Sequence, residues 1–211
     1  MKLKTWMVIS LVVLSFLLSA YFYPQLPGNV ASHWGTSGEV NDYLPKFWGA
    51  FLVPLINLIV AGILILGPKI DPLKKNIKLF RKEYFSFVIV IIVFLIVIQT
   101  HMLLWNVGYQ FSIYRVLPLA LGFLFFFIGL LLEKSKRNWF IGIRTPWTMS
   151  SDKVWKKTHN LGGKLFKISG GICAIGFFFN ELAIWFMLTP IVLSGITLTI
   201  YSYIEYLKEK K

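Results

Sequence analysis

The sequence predicts an all-α integral membrane protein with six transmembrane helices, both termini cytoplasmic, and one interfacial amphipathic helix ahead of the fifth span. Three observations predict it. Only 15% of the 211 residues are charged and 56% are hydrophobic, whereas a water-soluble domain carries about 25% charged residues. The mean hydropathy is +0.67. The charges are also bunched, leaving charge-free stretches at 5–38, 47–68, 84–114, 116–132, 168–180 and 182–204. A helix crosses the hydrocarbon with about 20 apolar residues, roughly 17 at the least. A soluble domain, a disulfide scaffold and a disordered tail are excluded.

The spans fall near 5–23, 47–67, 84–107, 115–132, 162–180 and 183–206. Helices are required because an open strand leaves peptide groups unpaired in lipid, and the alternation of a membrane barrel is absent. The first span follows Lys2 and Lys4 and runs through Tyr21, Phe22 and Tyr23. That is long for the 7–15-residue core of a signal peptide, so a retained helix is expected. The fifth span has a charge-free stretch of only 13 residues, 168–180, which places Lys164 and Lys167 in its first turns, snorkelling to the headgroups.

Charge sets the orientation. With six spans and the N-terminus inside, every Lys and Arg except Lys46 and Arg115 falls on the cytoplasmic side, as the positive-inside rule demands. The net charge of +13 then reflects topology and anionic inner-leaflet lipid, and no direct nucleic acid binding is expected. The chain divides into 1–67, a helix pair with a structured outer loop at 24–46, and 68–211, a four-helix portion. The single cysteine, Cys173, lies in the fifth span as a packing residue, and Gly170, Gly171, Ala174 and Gly176 offer that span a surface for close helix contact. Pro54 and Pro190 are expected to kink their helices.

Two connections carry information. In the outer one, Pro24, Pro27 and Gly28 end the first helix. Val30–Trp34 and Glu39–Tyr43 are then expected to pair as a hairpin across Gly35-Thr36-Ser37-Gly38. In the inner one, Arg144-Thr145-Pro146-Trp147 reads as a turn with Thr145 held extended by Pro146. Ser150 or Ser151 then caps a short helix. That helix carries Val154, Trp155, Thr158 and Leu161 on one face and Lys153, Lys156, Lys157 and Asn160 on the other. An apolar stripe opposite lysines describes a helix lying in the membrane interface, with Trp139, Trp147 and Trp155 at headgroup depth.

The chemistry-bearing motifs HExxH, GxSxG, the P-loop and paired cysteines are missing, so neither an enzyme nor a cofactor is expected. His33 and His101 fall towards one side and His159 towards the other, too few to converge as a metal site. His101, with Gln99 and Thr100, is expected to make interhelical hydrogen bonds. No carboxylate lies deep in a span, as coupled transport needs, and Asn57 is the most polar residue near a helix centre.

The two connections resemble a known family. Leu26-Pro27-x-x-Val30-x-x-His33-Trp34 followed by Gly38 resembles the small domain of unknown function that opens SdpI-type proteins. Gly142-Ile143-Arg144-Thr145-Pro146-Trp147-Thr148, then Val154-Trp155 and Thr158-His159 before Gly162-Gly163, resembles their second signature. The resemblance implies an immunity protein of the cell membrane that protects against a secreted, membrane-active peptide toxin. It also implies signalling, in which the toxin-engaged protein holds a cytoplasmic transcriptional repressor at the membrane. On that reading Pro27, His33, Trp34, Gly38 and Trp48 face the toxin, with His33 either ordering the loop or touching the peptide. Gly142, Arg144, Thr145, Pro146, Trp147, Thr148, Trp155, Lys156, Thr158 and His159 form the cytoplasmic signature. Arg144 there meets either a partner's carboxylates or a lipid phosphate or helix C-terminus. The alternative is a transporter of small solutes or peptides, which needs a polar path through the bundle.

Overall fold

The structure, a computed structural model, describes residues 2–210; Lys211, one of the basic residues counted at the C-terminal end, lies outside them. Six long apolar helices dominate: α1 (Lys2–Phe22), α2 (Lys46–Ile70), α4 (Arg81–Asn106), α5 (Leu117–Lys134), α7 (Asp152–Ile175) and α8 (Ala183–Lys210). Each is long and apolar enough to cross a membrane, and the chain is a multi-pass membrane protein. Two short helices, α3 (Lys74–Leu79) and α6 (Pro146–Ser150), lie between them. The strands β1 (Asn29–Trp34) and β2 (Val40–Pro45) pair antiparallel. That is the expected hairpin, with its second strand one residue later at the start and two at the end.

The helices alternate in direction, so the bundle has two ends. The hairpin covers one. The other gathers the 135–151 loop with the ends of α2, α5 and α8 and the starts of α4 and α7. A core of Val8, Val12, Ala61, Tyr84, Val88, Ile92, Leu124 and Leu131 joins α1, α2, α4 and α5. Within it sits a polar cluster. The Gln99 amide accepts from the Ser15 hydroxyl at 2.5 Å and donates to the Ser15 carbonyl and the Ser19 hydroxyl at 2.8 and 2.9 Å. Asn57 donates to the Ser15 hydroxyl at 3.2 Å. Bonds between helices satisfy groups that lipid cannot.

The most extensive helix contact is between α5 and α7, and glycine makes it possible. A Cβ on Gly122 would lie 2.7 Å from the Gly170 carbonyl, and one on Gly129 2.7 Å from the Gly163 carbonyl. The reciprocal distances are 2.5 and 2.8 Å. The pairs are one heptad apart on both helices, so the backbones touch at two successive levels. Of the small residues expected at this contact, Gly170 and Ala174 are there, while a Cβ on Gly171 would meet nothing within 4 Å. Cys173 is fully buried, as expected of a packing residue.

The fifth long helix differs from its expected start. No break separates a short helix from a span: α7 runs unbroken from Asp152, capped by the Ser151 hydroxyl. Lys164 and Lys167 therefore lie in its middle turns. Lys167 is held by Glu133 of α5 at 2.6 Å, an ion pair across the helix contact, while Lys164 is exposed. The stripe of Val154, Trp155 and Thr158 is buried in protein, because the 135–145 loop folds over it.

Candidate functional site

At the hairpin end, β1 is docked from below. Val30 is fully buried against Gly49, where a Cβ would meet the valine at 2.4 Å. The Asn106 carboxamide at the end of α4 accepts from the Ala31 N–H at 2.8 Å and donates to the Ala31 carbonyl at 2.9 Å, standing in for a third strand. Trp34 packs on His101 and Trp105, with ring centroids 5.2 and 5.9 Å away. Gly38 has φ +81, and a Cβ on it would sit 2.8 Å from the Tyr114 ring. The Tyr114 hydroxyl donates to the Thr36 carbonyl. Asn106, Tyr114 and Gly49 carry no motif, and sequence reasoning passed over them.

His101 does not make the interhelical bonds expected of it. Both its ring nitrogens are buried without a hydrogen-bond partner, because Trp34 and Phe111 close over the ring. Thr100 bonds back to Ile96 of its own helix, and of the three only Gln99 bonds between helices. The expected toxin-facing residues divide. Pro27, His33 and Trp48 are exposed, while Trp34 and Gly38, in the hairpin itself, are half-buried. His33 meets Asn41 across the hairpin at 2.5 Å, which ties the two strands together.

At the opposite end the signature folds around one imidazole. His159 Nε2 accepts from the Ile143 N–H at 2.9 Å, so its Nδ1 carries the proton and donates to the Trp155 carbonyl at 2.8 Å. The His159 and Trp155 rings stack at 3.8 Å. Gly142, at φ +121, lies on this stack: a Cβ would be 2.6 Å from His159 Nε2. Thr145 and Thr148 form a capping box that starts α6, and Thr148 also donates to the Ile143 carbonyl at 2.8 Å. Thr145 is extended, as Pro146 requires, and its hydroxyl meets Ser202 of α8 at 3.1 Å. Arg144 donates to the Trp139 carbonyl and remains exposed. Thr148, Trp155, Thr158 and His159 are buried, Gly142, Thr145 and Trp147 half-buried, and Pro146 and Lys156 exposed.

Ion pairs hold α5, α7 and α8 together near this end. Glu205 is nearly buried between Lys157 and Lys208, and Arg137 binds Asp152 at 2.8 Å. Among the described residues no group of three or more His, Cys, Asp or Glu converges as a metal site.

These features define a class: a six-helix membrane protein with a docked hairpin at one end and a histidine-centred loop at the other. The SdpI/YfhL protein family matches residues 134–203, and a domain of unknown function, DUF1648, matches residues 10–58. The chain is similar to "Immunity protein SdpI" of Bacillus subtilis (strain 168), with 28% identity over 201 residues, 95% of this chain and 94% of the relative. No solved structure matches it.

Proposed function

We propose that this protein is a membrane immunity protein that protects its cell from a secreted, membrane-active peptide. The observation that carries the reading is similarity to an immunity protein along almost the whole of both chains. The proposed orientation puts the hairpin end outside and both termini in the cytoplasm, because the basic residues cluster at the signature end. The first turns of α7 then lie at the inner membrane interface. The toxin-facing surface is the exposed part of the hairpin end, Pro27, His33 and Trp48, held in place by Trp34 and Gly38.

A cytoplasmic repressor would meet Arg144, Trp147 and Lys156. The buried members of the signature, Gly142, Thr148, Trp155, Thr158 and His159, act by shaping the loop that presents them. Transport is disfavoured by the polar cluster of Ser15, Ser19, Gln99 and Asn57, whose hydrogen bonds close on one another and on the Ser15 and Ala50 carbonyls.

The test is survival of a toxin-sensitive bacterium expressing the protein and challenged with purified sporulation-delaying peptide, beside an empty-vector control. Insertion is checked in the same cells. Protection is expected; none at normal expression would overturn the reading.

A further inference from the structure

A cavity of about 380 Å³ opens at the signature end between α3, the end of α5 and the first turns of α7. Five charged residues line it: Glu133, Lys136, Arg137, Asp152 and Lys156. Both acids are already engaged, Glu133 by Lys167 at 2.6 Å and Asp152 by Arg137 at 2.8 Å. Lys136 and Lys156 have no acidic partner among the described residues. The lining thus includes two lysines without an acidic partner beside Arg137. The Arg137 guanidinium is fixed by Asp152 and by the Met149 carbonyl at 2.7 Å. Such a guanidinium has N–H groups to spare, and ammonium and guanidinium donors together suit a phosphate oxygen.

The rest of the lining fits an amphiphile. Trp155 forms part of the wall and Leu79 part of the rim, the latter 71% exposed. An apolar rim beside a cationic cavity suits the glycerol and first methylenes of a lipid whose headgroup lies inside.

We propose that the cavity between α3, α5 and α7 is a binding site for a phosphate ester, with Lys136, Lys156 and Arg137 as its donors and an anionic phospholipid headgroup as its occupant. The site stands apart from the toxin-facing hairpin and does not depend on the immunity reading.

The test is native mass spectrometry of the delipidated full-length protein in detergent, titrated with phosphatidylglycerol or phosphatidylcholine. One phosphatidylglycerol is expected to be retained in preference to phosphatidylcholine. The variant Lys136→Gln/Lys156→Gln should weaken that binding by at least roughly tenfold, since two charge-assisted contacts are lost. Lys136→Arg/Lys156→Arg should keep it. Inorganic phosphate in a parallel titration assigns the source. Displacement of the lipid at millimolar phosphate supports a site for free phosphate esters, and no displacement supports the lipid. Equal binding of both lipids would overturn the proposal. So would an equal loss in the control Lys75→Gln/Lys153→Gln, which removes the same charge from the same end.

Discussion

The side chain of Asn106 bonds both backbone groups of Ala31, 75 residues earlier, at 2.8 and 2.9 Å. Ala31 is fully buried, so nothing else replaces those bonds if the amide goes. A buried peptide group left unpaired costs about 1–3 kcal/mol, and a two-stranded hairpin is marginal by itself. Asn106→Ala should therefore release the hairpin while leaving the six helices inserted. Limited proteolysis should cut between residues 35 and 45 faster in the variant, and protection from toxin should fall with it. Asn106→Asp keeps the acceptor and loses the donor, and should be intermediate.

At the other end, Gly142→Ala tests the packing around His159. The new methyl would need a strained φ and would lie 2.6 Å from Nε2, displacing the Ile143 N–H from its acceptor. A loss of about 2–4 kcal/mol is expected from strain and the broken bond together. Thermal unfolding in detergent measures it. Gly171→Ala is the control, because its Cβ has open space. It should be neutral or stabilise α7 by up to about 1 kcal/mol through helix propensity alone.

The contrast between those glycines shows what was legible in the sequence. Hydropathy fixed six helices because each must present about 20 apolar residues to lipid, and the hairpin followed from Gly-rich punctuation between β-prone segments. Which glycine faces a neighbour depends on helix rotation, so Gly122, Gly129 and Gly163 at the α5–α7 contact were hidden among equivalents. The Glu133–Lys167 pair was invisible for the same reason, as its partners lie 34 residues apart. Without that partner a lysine is costly in mid-span, so the sequence places Lys164 and Lys167 in the first turns of a span from about 162, whereas α7 starts at Asp152. His101 misled differently: a polar side chain in a span suggested a hydrogen bond, but the aromatic rings around it come from the hairpin and from residue 111.

The Glu133–Lys167 pair makes its own prediction. Each side chain is a little over a quarter exposed, 27% and 29%, so the interaction is partly screened and should be worth about 1–2 kcal/mol. Lys167→Met and Glu133→Gln should each destabilise the protein by leaving an uncompensated charge beside α5. Together they should cost less than the sum of the two. A double-mutant cycle on unfolding in detergent reads the coupling directly, and strict additivity would show that the two charges do not support each other.

Arg144 separates the two proposed roles of the protein. Its side chain is exposed, and its one hydrogen bond runs to the Trp139 carbonyl, so removing it should leave the His159-centred loop folded. It also lies at the end of the bundle opposite the hairpin, remote from any peptide bound there. Arg144→Ala should thus weaken capture of a cytoplasmic repressor while toxin survival stays close to that of the unaltered protein. Trp48→Ala, at an exposed position beside the hairpin, should do the reverse by lowering survival first. A reporter driven by the repressor's target promoter and a survival assay, run on the same strains with protein level measured, give both readouts. Equal loss of both activities in Arg144→Ala at unchanged protein level would mean that the two ends do not divide the work, and that the signature loop serves protection itself.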